Sequence, residues 1–201
     1  MRAGSFRPAL IACVMLFSGC TLFSPINIDT RINVLSNIPL DLPSERTHSA
    51  TLLVLVPETM PAYATTQMAY STEPYQIAYF TKNEWAATPS QMIQPLIVAA
   101  VRNTRYFSEV LSPPDFGPHT FALRIEILEL KQDFTSQPAM LQLAMHISLS
   151  RETTNQIVAS EQLRVSEPMA EKSPDAGAAA ANEAMPKLLR ELAKFVVEKA
   201  N

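Results

Sequence analysis

Residues 141–149 read LQLAMHISL, with Leu141, Leu143, Met145, Ile147 and Leu149 on one parity and small or polar residues on the other. Such period-two alternation is that of a β-strand with one buried face. Upstream, Phe121, Leu123, Ile125 and Ile127 alternate in the same way, and then Leu128 and Leu130 continue on the opposite parity. A β-bulge near Ile127–Leu128 would return the chain to its buried face. Under a regular pattern Glu126 and Glu129 would share no face. Downstream, Arg151 to Asn155 is a polar turn, and Ile157 to Val165 returns as the antiparallel partner. Glu161 falls on the apolar parity of that strand, so it needs a register slip or a place at the sheet edge.

Two helices flank these strands. Thr88-Pro89-Ser90-Gln91 is a capping box with proline at the first helical position. Ile93, Leu96, Ile97, Ala100 and Val101 then fall on one face, with Arg102 and Arg105 near the end, where the helix dipole favours cations. Ser173-Pro174-Asp175 opens a long C-terminal helix whose apolar stripe is Ala181, Met185, Leu188, Leu189, Leu192, Phe195 and Val196. Pro95 predicts a kink in the first helix, and Pro186 a kink or a broken first half in the second. Residues 107–111 form a short strand stopped by Pro113-Pro114. Leu52 to Val56 (LLVLV), ended by Pro57, reads as a strand covered on both faces. Residues 67–70 and 75–80 flank Ser71-Thr72-Glu73-Pro74 as a tyrosine-rich β-hairpin. The order is strand, hairpin, helix, antiparallel strands, helix. It predicts one α+β domain over residues 50–201, with two helices packed on an antiparallel sheet.

The N-terminal end carries a different signal. Arg2 and Arg7 precede an apolar run, PALIACVMLF at residues 8–17, too short to remain as a membrane-spanning helix. Phe17-Ser18-Gly19-Cys20 then reads as a lipobox, with Phe17 where leucine is usual. Residues 1–19 are expected to be a cleaved signal peptide, and Cys20 the acylated first residue of the mature chain, carrying palmitate-type chains. Thr21, rather than aspartate, after the cysteine points to the outer membrane. Residues 20–49, punctuated by Pro25, Pro39 and Pro43, are expected to be a lipidated tether, with Ile32, Val34 and Ile38 able to pair partly as an edge strand. Cys13 lies in the discarded run, so no cysteine remains to pair with Cys20 and the domain must stand on its core.

Composition narrows function. The formal charge is −3, and cleavage of Arg2 and Arg7 takes it to about −5, which argues against a nucleic-acid partner. Four glycines cannot assemble a nucleotide-binding loop. His48, His119 and His146 lie on separate elements without ligand spacing, and no serine sits in a nucleophile elbow. The expectation is a non-enzyme with no cofactor and no metal. Tyr70, Tyr75, Tyr79, Phe80 and Trp85 are the candidate partner- or lipid-contacting group. Trp85 and Tyr79 read more readily as core, and Tyr70 and Tyr75, beside the turn, as contact residues. Met140, Met145, Met169 and Met185 are spaced as core, with lining of a lipid groove the alternative.

The ordered set Tyr70, Tyr75, Tyr79, then Asn83-Glu84-Trp85-Ala86, the Pro89-led helix and Arg105-Tyr106-Phe107-Ser108-Glu109-Val110 resembles the ABC-type transport auxiliary lipoproteins, the family of paraquat-inducible protein C. The frequent early Tyr-Tyr of that family is absent here. The resemblance implies an outer-membrane lipoprotein facing the periplasm, the docking component of a system that moves lipids or other hydrophobic molecules. Its implied partners are ABC transporter components and a mammalian-cell-entry-type protein, and its implied role is in envelope integrity. Homo-oligomerisation is compatible with docking, though no repeat demonstrates it. The alternative is a free-standing periplasmic lipid-binding or chaperone-like lipoprotein.

Overall fold

The thirteen-residue strand Phe121–Asp133 organises the sheet. In the computed structural model, which describes residues 29–43 and 46–201, the strands are β1 (Arg31–Asn33), β2 (His48–Val54), β3 (Glu58–Thr59), β4 (Gln67–Ser71), β5 (Ala78–Trp85), β6 (Phe107–Leu111), β7 (Phe121–Asp133), β8 (Met140–Arg151) and β9 (Gln156–Pro168). The helices are α1 (Pro89–Asn103) and α2 (Pro174–Lys199), with one 3-10 turn at Pro61–Tyr63. The signal peptide, the lipobox and Cys20 lie outside the described residues.

Along one edge of β7 runs β8, antiparallel over the whole length and followed by antiparallel β9. Along the other edge lie β2, β3 and β4 in succession, all parallel to β7, with Leu52 opposite Phe121, Glu58 opposite Glu126 and Tyr70 opposite Gln132. β2 also pairs in parallel with β6, and β1 with β5. The sheet is therefore mixed, not antiparallel as the strand order suggested. The reason is the crossover: the chain leaves β4, turns back through β5, and descends through α1 before β6 and β7. A connection of that length brings the next strand in parallel, whereas tight turns join β7, β8 and β9 antiparallel. Fold class and helix count stand: one mixed α+β domain with two helices on its sheet.

Many local expectations hold, though β2 ends at Val54, leaving Val56 exposed, and β5 begins at Ala78 rather than Tyr75, which lies in the turn. Leu141, Leu143, Met145, Ile147 and Leu149 are all buried. The pairing of β7 with β8 shifts between Ile127 and Glu129, so Leu128 is the bulged residue. After the bulge Leu130 and Gln132 face inward, and Glu126 and Glu129 come to share the outer face, contrary to the regular pattern. Glu161 is exposed on β9, which pairs only with β8 and so forms an edge; the register shifts further along, opposite Leu149 and Ser150. An inward-parity charge and a register break are both devices that guard an edge against strand addition. The capping box at Thr88 and Gln91 forms, and the predicted faces of both helices are buried. α2 runs through Pro186 as one helix rather than two, held down by buried Met185, Leu188 and Leu189. α1 likewise runs through Pro95.

Residues 31–41 lie against the domain rather than away from it. β1 adds to β5, Leu35 is buried, and Asn182 of α2 both donates to Val34 O (2.9 Å) and accepts from Ser36 N (3.0 Å). Ion pairs clamp the two ends of this strap, Arg31 with Asp175 (2.8 Å) and Arg190 with Asp41 (2.6 Å). The expected edge pairing near Ile32 is thus present, limited to three residues.

Candidate functional site

The tyrosine hairpin is closed by its own side chains. Ser71 Oγ donates to Gln76 O (2.7 Å), and Gln76 Nε2 donates to Glu73 Oε2 (3.0 Å). At the turn Tyr75 adopts φ 66°, uncommon for a residue with a Cβ, and stands fully exposed. Ile77 beside it is also exposed, at 40%. Below the turn, the half-buried Tyr70 ring packs on Phe80 (4.4 Å) and Phe134 (5.7 Å).

Strand alternation separates the remaining aromatics. Tyr79, opposite Ala69, lies on the other face from Phe80, and its hydroxyl donates to Ala62 O (2.8 Å). There it neighbours Tyr63 and Glu129. Burial, reinforced by the Glu129 carboxylate and Tyr79, pushes the Tyr63 phenol up to about 12. Trp85 is buried at the far end of β5, its backbone N–H donating to Thr66 O. So of Tyr70, Tyr75, Tyr79 and Trp85, only the first two border the exposed turn. Phe134 joins them from the end of β7. Sequence reasoning missed it because it is 64 residues from Tyr70 and reaches it only through parallel β4–β7 pairing.

A second surface lies at the other end of the sheet, where α1 ends. Arg102 donates to Val110 O (2.9 Å), and Thr47 Oγ1 donates to the carbonyl of Arg105, itself at φ 57°. Adjoining hollows of about 480 and 430 Å³ meet at these two arginines, with the edge strand β6 on one side and Pro39, Leu40 and Leu42 on the other. Leu40 is fully exposed.

Metal chemistry finds no purchase in what is described. His48 stacks on Tyr106 (4.3 Å), His119 Nε2 meets Glu152 (3.2 Å) and His146 meets Ser148 Oγ (3.3 Å). Among the described residues no group of three His, Cys, Asp or Glu side chains could hold an ion, and no helix is long and apolar enough to cross a membrane. Met145, Met169 and Met185 are buried core residues.

Known solved structures share the overall fold of this chain. A Xanthomonas campestris protein shares it at TM-score 0.75 and 18% identity, over 85% of this chain and 95% of its own. A hypothetical protein from Chlamydia trachomatis shares it at TM-score 0.54 and 14% identity, over 77% of this chain and all of its own. A search of curated proteins finds no matching relative. The family model for the ABC-type transport auxiliary lipoprotein component matches residues 35–193. The chain belongs to that family.

Proposed function

We propose that the protein is an outer-membrane lipoprotein, anchored through Cys20 and facing the periplasm, that serves as the docking component of an ABC-type, mammalian-cell-entry-linked system moving lipids or other hydrophobic molecules. The family match over residues 35–193 carries this reading, and the lipobox at residues 17–20 supports the anchor. No step of chemistry is assigned to the domain, and no cofactor or metal. Its candidate contact residues, toward a partner or toward lipid, are Tyr75 and Tyr70 at the hairpin turn, with Tyr79 and Trp85 holding the hairpin from within. The alternative, a free-standing lipid carrier, needs room between sheet and helices. That layer is occupied by fully buried side chains, Met145, Met185, Leu188 and Leu192 among them, which favours docking over cargo holding.

The test is a mild-detergent pull-down of the lipoprotein from its own membranes, with co-purifying proteins identified by mass spectrometry. Recovery of an ABC permease or a mammalian-cell-entry-type protein is expected. Recovery of the lipoprotein alone, together with an intact envelope barrier after deletion of its gene, would overturn the docking role.

A further inference from the structure

We infer that the hairpin turn around Tyr75 rests on the lipid surface to which the protein is anchored, so that the anchor and the turn together orient the domain on its membrane. The inference rests on acylation of Cys20 and adds to it a second, non-covalent contact.

Direction comes from register. β1 runs parallel to β5, with Arg31 opposite Asn83 and Asn33 opposite Trp85. β5 leads away from the turn, so the chain before Arg31 points back toward it. Asp29, Lys82 and the start of α2 line one hollow, which places Asp29 level with the middle of β5. From there to Ala78, where β5 begins, is about 10 Å at roughly 3.3 Å per residue. Eight residues separate Cys20 from Asp29, which is nine steps along the chain. Fully extended they span no more than roughly 30 Å. An anchor on so short a lead keeps Asp29 within about 30 Å of the lipid, and Asp29 lies nearer the turn than the foot of the sheet.

The chemistry of that end suits an interface. Between Ser71 and Thr81 the only charged residue is Glu73, and residues 134–140, the neighbouring turn, carry none, with Asp133 and Lys172, whose Nζ donates to Phe134 O (2.8 Å), at its border. Tyr75 and Ile77 are exposed there. Tyrosine is enriched where hydrocarbon meets headgroup, because its ring is apolar and its hydroxyl is wet. Charged groups are penalised in the hydrocarbon just beyond it. The opposite end presents Arg102 and Arg105 instead, cations that anionic lipid would also attract, so the test must tell the two ends apart.

The experiment uses the full acylated protein in vesicles of phosphatidylethanolamine and phosphatidylglycerol, with and without doxyl-labelled acyl chains. Trp85, the one tryptophan, is buried and supplies a constant background. Tyr75→Trp is expected to add emission that shifts to the blue on reconstitution and is lost to doxyl lipid, while emission added by Leu40→Trp, at the far end of the strap, is unaffected. Flotation with the vesicles but no quenching of Tyr75→Trp would overturn the inference and leave the anchor standing. Quenching of Leu40→Trp in place of Tyr75→Trp would overturn it by reversing the orientation. Failure to float would overturn the anchor and the inference together. A blue shift of Tyr75→Trp only after addition of a co-purified protein would assign the turn to a protein partner instead.

Discussion

Gly177 and Gln132 show how tightly α2 is seated. A Cβ at Gly177 would stand 2.0 Å from Gln132 Cδ, and the Gln132 amide is buried with no hydrogen-bond partner. Glycine is thus required by the close approach, although it costs helix propensity. Gly177→Ala is expected to destabilise by about 1–3 kcal/mol through overpacking, more than the roughly 1 kcal/mol that alanine contributes to a helix. Adding Gln132→Ala should recover most of the loss, as read by thermal or denaturant unfolding. Tyr63 is the second residue with a measurable signature. Its phenol is raised in the folded state, so folding favours the protonated form. That stability is complete below about pH 10, the ordinary tyrosine value, and is lost as pH rises toward about 12. Tyr63→Phe should flatten the dependence of stability on pH between 10 and 12.

At the scale of elements, the strap over residues 31–41 is the piece whose attachment is most local. Asn182 makes side-chain hydrogen bonds to Val34 and Ser36. Its neighbours are exposed ion pairs, which contribute little, even though the Arg190 guanidinium holds the Asp41 carboxyl below its usual range. Asn182→Ala is therefore expected to cost about 1–2 kcal/mol. Hydrogen exchange should quicken at residues 34–37 while the β7–β8 ladder stays protected. The helices illustrate why proline is a weaker stop signal inside a domain than in an isolated segment. Pro186 lacks one donor, yet the surrounding stripe from Ala181 to Val196 is buried, and that burial outweighs a single lost bond.

For the whole molecule, the anchor proposed at Cys20 would decide where everything else acts. Cys20→Ser is expected to move the protein from the membrane fraction to the soluble envelope fraction without changing its thermal unfolding, because the described core of β7, β8, α1 and α2 is built from residues 35–200. Retention in the membrane would show that another contact suffices to hold it. The aromatic turn at one end and the arginine pair at the other give the domain two chemically distinct poles. They lie at opposite ends because the β4–β5 turn follows Ser71, which is level with Asp133 at the end of β7, while α1 leads to β6 at the end where β7 begins.

Period, caps and turns are properties of neighbouring residues, so the chain alone determined its elements: the bulge after Ile127, the capping box at Thr88, the buried stripes of both helices, the hairpin at Ser71 and the lipobox at Cys20. Register across the sheet is set by which strands meet after a crossover, and no local pattern encodes it. Only the tertiary structure therefore decided that β2, β3 and β4 line β7 in parallel. The same pairing brought Phe134 to Tyr70, separated Tyr79 from Phe80, and turned the segment before Arg31 toward the hairpin. Glu126 and Glu129 share a face for the same reason: a bulge changes parity for every residue beyond it, and its effect appears only once both strands are in place.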